Sequence, residues 1–163
     1  MNPGMVIPVP VLLSLLAAFA LTIVPLPGAI ATARPEWVLL VLVYWGMAFP
    51  RRVGILVAFL AGLFLDVLQH QLLGQNALAL AAAMFIVLQI YPRMRVYPLW
   101  QQAVVVAFLV GLTRFLNIWI QGATGFPPGN NLYWLPVLTS ALLWPVVYHI
   151  LRDARRRWLL HLT

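Results

Sequence analysis

The chain has 163 residues, of which 64% are hydrophobic and 8% charged, with a formal net charge of +7. A soluble domain is about 45–50% apolar and about 25% charged, so a water-exposed globule is excluded and apolar runs within a bilayer are expected. Cysteine is absent, which removes disulfides, thiolate metal sites and cysteine nucleophiles; the basic residues are all arginines lying between apolar runs, a pattern of membrane topology and not of nucleic-acid binding.

Six apolar segments follow one another. Residues 7–24 form the first, interrupted near its start by Pro8 and Pro10 and stopped by Pro25 and Pro27. The second, residues 35–49, opens at Pro35-Glu36 and closes at Pro50-Arg51-Arg52. Its roughly 15 residues reach only about 22 Å, against about 30 Å of hydrocarbon. Either neighbouring helices shield it or the bilayer thins around it. Residues 53–68 form the third segment and contain Asp66; residues 75–91 form the fourth, with Ala77, Ala79, Ala81 and Ala83 suited to close packing. The fifth, residues 99–121, contains Arg114, Asn117 and Gln121, and the sixth, residues 132–151, contains Pro145, where a kink is expected. Residues 122–131, rich in Gly, Pro and Asn, read as an exposed loop. The expectation is therefore an all-α polytopic membrane protein, a single domain over residues 1–163 with six transmembrane helices. Ala29-Ile30-Ala31 looks like a signal-peptidase site, but no basic stretch precedes the first apolar run, so that run is expected to be retained.

Arginine placement sets the orientation. Arg51 and Arg52 lie between the second and third segments, Arg93 and Arg95 between the fourth and fifth, and Arg152, Arg155, Arg156 and Arg157 after the sixth. With six spans all of these share one side, whereas the other side has Arg34 beside Glu36. The positive-inside rule then predicts that both termini are cytoplasmic. Trp37, Tyr97, Trp100, Tyr133 and Trp134 stand near segment ends, where interfacial aromatic belts form.

Asp66 and Arg114 are the informative charges. An ionised side chain at a helix centre costs about 2.5–3.5 kcal/mol to insert, and such residues face protein or water instead of lipid. Both fall roughly 20 Å from the cytoplasmic end, in the outer half of the membrane, and their matching depth predicts that they pair. Gly54, Ala58 and Gly62 form a small-residue row leading to Asp66, and Ala103, Ala107 and Gly111 form another leading to Arg114; Asn117 continues the polar face. A buried pair that fixes helix register is the plainer reading; a polar ligand or ion site in the outer half is the sharper one. Glu36, next to Pro35, suits the first turn of a helix, where a carboxylate complements the dipole.

Enzyme signatures are missing. Ser14 and Ser140 lie outside any G-x-S-x-G elbow, and Ser140 is roughly 13 Å along its helix from His149, too far for a nucleophile and its base. His70, His149 and His161 are too scattered for a metal site, and no cofactor motif is present. Arg152, Arg155, Arg156 and Arg157 read as a topology anchor that attracts anionic lipid, or as a docking point for a cytoplasmic partner.

Several strings in order resemble the MreD family of rod shape-determining proteins, in its Gram-negative branch. They are Arg34-Pro35-Glu36-Trp37, Val41-Leu42-Val43-Tyr44-Trp45, Pro50-Arg51-Arg52-Val53-Gly54 and Gly62-Leu63-Phe64-Leu65-Asp66-Val67-Leu68, then Leu73-Gly74-Gln75-Asn76-Ala77-Leu78, Pro98-Leu99-Trp100-Gln101-Gln102 and Thr139-Ser140-Ala141-Leu142-Leu143-Trp144-Pro145. The resemblance implies a non-enzymatic scaffold in the bacterial inner membrane, part of the machinery that builds lateral peptidoglycan. The partners it implies are MreC, through its transmembrane helix, and, directly or indirectly, RodA, a class B penicillin-binding protein and MreB. It also implies a fold similar to the substrate-binding components of energy-coupling-factor transporters, which leaves a transport component that captures a small polar ligand in the outer half as the alternative.

Overall fold

The computed structural model describes residues 8–25, 27–28, 34–69, 73–123, 125 and 134–161. Among the described residues there are six helices: α1 (Val9–Ile23), α2 (Trp37–Ala48), α3 (Ile55–Leu68), α4 (Gln75–Met94), α5 (Leu99–Ala123) and α6 (Leu135–His161). α4, α5 and α6 are long and apolar enough to cross a membrane; α1, α2 and α3 are shorter apolar helices. Ala29-Ile30-Ala31, His70, Tyr133 and most of the loop expected over 122–131 lie outside the described residues.

Local chemistry explains the helix ends. Pro8 is the N-cap of α1 and Pro10 falls in its first turn, where a missing N–H leaves no hydrogen bond unmade. These prolines start the helix and do not interrupt it. α6 continues past Leu151 to His161 with Pro145 inside it. Arg152, Arg155, Arg156 and Arg157, expected after the sixth segment, therefore lie within the same helix.

α2 is the axis of the bundle. It packs against α1, α4, α5 and α6, and every residue from Val38 to Met47 is buried. A helix that is apolar on all faces belongs inside a bundle. Shielding by neighbours thus accounts for its 12 residues. The two largest fully buried side chains, Trp45 of α2 and Trp144 of α6, are each closed by an indole hydrogen bond. Trp45 Nε1 donates to Ser14 Oγ at 2.8 Å, and Ser14 Oγ donates on to the Val11 carbonyl at 3.0 Å. Buried Trp144 of α6 donates Nε1 to Gln102 Oε1 of α5 at 3.1 Å.

The two small-residue rows fare differently. A Cβ on Gly62 would stand 2.4 Å from the Ala77 Cα and 2.7 Å from the Asn76 carbonyl oxygen, so α3 touches the backbone of α4 there. Ala58 and Gly62 are buried at this crossing, whereas Gly54 is the N-cap of α3 with open space around it. The row Ala103, Ala107 and Gly111 is not the buried face of α5: Gln102, Val106, Leu109, Val110 and Thr113 are. Nothing lies within 4 Å of where a Gly111 Cβ would be. The larger side chains bring more atoms into the seams with α4 and α6, and dispersion contact grows with them.

The exterior is apolar along its length. Leu56, Leu60, Phe64 and Val67 of α3, Val104, Phe108 and Trp119 of α5, and Leu138, Leu142 and Val146 of α6 are all exposed. Continuous apolar surface on this scale suits lipid and not water. Successive helices run in opposite directions, so Thr22, Glu36, Asp66, Asn76 and Ser140 gather at one end, and Met47, Arg95, Gln102 and Arg155 at the other.

Gly62→Ala is expected to lower stability by about 1–3 kcal/mol through overpacking against backbone. Gly111→Ala should change it by less than about 0.5 kcal/mol. Thermal unfolding of the detergent-purified variants measures both.

Candidate functional site

The end holding Glu36 concentrates the buried polar groups. α4 begins at Gly74, which has a φ of 97° and so occupies the left-handed region that favours glycine. Glycine brings no side chain to cap the helix, and the first N–H groups of α4 need acceptors. Asp66, fully buried near the end of α3, supplies them. Its Oδ2 accepts from the Gly74 N–H and its Oδ1 from the Asn76 N–H, both at 2.9 Å. Two backbone donors and the positive end of the α4 dipole stabilise this carboxylate.

Arg114 is therefore not the partner of Asp66. Its Nη2 lies 2.8 Å from Glu36 Oε1, and the two side chains are only 17% and 29% exposed. The expected pairing fails because equal depth does not fix angular position: Asp66 faces the hairpin it closes, while Arg114 faces α2. Glu36 is the N-cap residue of α2, yet its side chain makes no capping hydrogen bond and binds the arginine instead. The Glu36 N–H donates to Ser140 Oγ at 3.0 Å, which ties the start of α2 to α6.

Asn117, expected to continue the polar face of α5, bonds to the start of α4. Its Nδ2 donates to Asn76 Oδ1 at 3.2 Å, and Asn76 Nδ2 donates to Gln69 Oε1 at 3.3 Å. Asp66 and Asn117 thus join through Asn76, which sequence reasoning passed over; the signal was an amide two residues after a helix-starting glycine. Arg34 caps α1 by donating to the Thr22 and Val24 carbonyls, an arrangement that the helix dipole favours.

A cavity of about 270 Å³ opens among Thr22, Arg34, Glu36, Gln69 and Arg114. Arg34 Nε, Gln75 Nε2 and Asn117 Oδ1 at this end are buried without a hydrogen-bond partner among the described residues. The arrangement can hold a small polar molecule or water. No cluster of three or more His, Cys, Asp or Glu that could hold a metal ion occurs among the described residues. Ser14 and Ser140 both serve as hydrogen-bond links between helices.

At the opposite end Arg95 donates from Nε to the Met47 carbonyl at 2.8 Å and from Nη2 to the Ala48 carbonyl at 3.4 Å, capping α2. Gln102 Nε2 donates to the Met94 and Tyr97 carbonyls at 2.8 and 3.3 Å, closing the end of α4.

An all-helical bundle whose polar side chains cap and bridge helices inside an apolar exterior defines a helical membrane protein. The model of the family described as rod shape-determining protein MreD matches residues 4–154. The chain is 35% identical over 149 residues to the Rod shape-determining protein MreD of Haemophilus influenzae, covering 88% of this chain and 89% of that one. No solved structure matches. The chain belongs to the MreD family, and its role lies in rod shape determination.

Exchanging Glu36 and Arg114 (Glu36→Arg with Arg114→Glu) should recover much of the thermal stability lost by either single change. Asp66→Arg with Arg114→Asp should recover none. Asp66→Asn should cost about 1–3 kcal/mol, since one backbone N–H then faces an amide donor. Melting curves of the single and double variants decide among these outcomes.

Proposed function

We propose that this chain is a non-catalytic scaffold of the bacterial cell-elongation machinery. It spans the inner membrane six times with both termini in the cytoplasm, and it binds the transmembrane helix of MreC in support of lateral peptidoglycan synthesis. RodA, a class B penicillin-binding protein and MreB join it directly or through MreC. Its helices follow the arrangement of energy-coupling-factor substrate-binding components, a likeness of fold that carries no function by itself. The carrying observation is the family match across residues 4–154. The division of labour within the bundle supports the reading, since polar side chains cap helices and bridge them while the outer faces stay apolar. The basic end, with Arg51, Arg52, Arg95 and Arg155 on it, supports a cytoplasmic location for that end and an attraction to anionic membrane lipid.

Mixed at equal amounts in detergent, this chain and full-length MreC should elute as one complex; separate elution overturns the scaffold reading. Topology has its own test, helped by a chain with no cysteine. In intact cells Leu73→Cys should react with a membrane-impermeant maleimide, and Arg157→Cys should react only after lysis.

A second reading is a substrate-capturing component. The cavity lined by Arg34, Glu36, Gln69 and Arg114 favours it. Asp66 is a structural cap, so the discriminating variant is Gln69→Ala: under this reading a small polar ligand raises the melting temperature of the parent chain and not of the variant.

A further inference from the structure

The second large cavity lies at the basic end, between α2, α4, α5 and α6. It encloses about 410 Å³ and is lined by Tyr44, Arg95, Gln102, Tyr148 and Arg155 together with Met47 and Ala48. Among the described residues no aspartate or glutamate lines it, so its ionisable cations are unopposed. Arg95 donates from Nε and Nη2 to the Met47 carbonyl and from Nη2 to the Ala48 carbonyl, which neutralises the negative end of the α2 dipole where an anion would otherwise be repelled and leaves Nη1 for a ligand. The Arg155 guanidinium sits 5.9 Å from the centre of the Tyr44 ring and forms no ion pair among the described residues. Gln102 is held by the Met94 and Tyr97 carbonyls and by Trp144, so it is a fixed wall.

Tyr44 is the telling residue. Its side chain is 3% exposed, and its hydroxyl is buried without a hydrogen-bond partner among the described residues. Its ring is fixed edge-on to Trp45 at 5.1 Å and to Tyr148 at 5.5 Å. A hydroxyl locked in place, buried and unmatched, beside two guanidiniums and no carboxylate, is a donor set waiting for an anion. Phenylalanine would fill the same space without the unmatched group.

We propose that this cavity is a phosphate-binding site, in which the Tyr44 hydroxyl and the guanidiniums of Arg95 and Arg155 donate to the oxygens of one phosphate group. Arginine's planar fork suits a phosphate and holds it in a fixed orientation. The phosphate can belong to an anionic phospholipid entering from the surrounding bilayer or to a free phosphate. The site does not rest on the scaffold reading: it concerns a cavity inside the bundle, and it stands whether or not MreC binds.

The test uses the full chain purified in detergent, then delipidated. Thermal stability is followed by tryptophan fluorescence with inorganic phosphate in one arm and phosphatidylglycerol micelles in another, with phosphatidylcholine as the neutral control. Native mass spectrometry records the lipid retained. At least one phosphate probe should raise the melting temperature; the phosphatidylglycerol arm alone responding identifies a lipid, and inorganic phosphate alone responding identifies a free ion. Tyr44→Phe should fold, melt no lower than the parent without ligand, and bind the responding probe roughly tenfold more weakly, as expected for loss of a hydrogen bond to a charged group. Arg155→Gln should weaken binding comparably. Arg156→Gln, an exposed position with the same change of charge, should leave binding unaltered. Neither probe stabilising the parent overturns the site. So does binding by Tyr44→Phe equal to that of the parent, or a loss at Arg156→Gln as large as at Arg155→Gln, which would mark surface attraction only.

Discussion

The Asp66 carboxylate on the first N–H groups of α4 is the constraint on which the rest depends. In hydrocarbon an unsatisfied backbone donor is costly, and Gly74 brings nothing of its own to meet it. The acceptor must come from another helix, so α3 has to end where its carboxylate can reach. That requirement sets the hairpin, which in turn lays Gly62 on the backbone of Ala77. Asn76 is then placed to meet Asn117, and α5 is drawn into the same network. One carboxylate thus orders three helices.

The same economy recurs at other helix ends. Arg34 serves the carbonyls that end α1, Arg95 those that end α2, and Gln102 those that end α4. In each case a long side chain from elsewhere in the chain stands in for the water that would solvate a helix terminus in a soluble protein. The bundle therefore has few polar side chains, and several of them are bonded across helices. This division leaves the outer faces free for lipid or for a partner helix.

Much of this was legible in the residues. The apolar segments found the six helices, with α3 and α4 starting and ending within a few residues of expectation. Pairing was harder to read. Matching Asp66 to Arg114 used depth alone, and around a helix each residue turns by about 100°, so two charges at one height can face different neighbours. Glu36 was read as a dipole partner because Pro35 stands beside it; only the approach of α5 to α2 reveals the Arg114 contact. The α5 alanine row misled for a related reason. Small residues permit close approach, but the neighbour's surface decides where it happens, and α5 carried a second stripe of Val106, Leu109, Val110 and Thr113. The Gly54, Ala58, Gly62 row worked where it met backbone, at Gly62, and Gly74 with its following amide was the missed clue to the cap.

The enclosure of α2 has a consequence for how such a chain is made. At 12 residues it extends about 18 Å, well short of the hydrocarbon thickness, and its carbonyl end is closed by an arginine that is synthesised after it. Released into lipid alone it would leave its termini unmet. Its carbonyl end is met only once α4 has been made and Arg95 has arrived. Biogenesis must then hold α2 at the insertion machinery, or tolerate it in a shallow interfacial position, until more than half of the protein exists. The central helix of the finished bundle is in this sense among the last to settle.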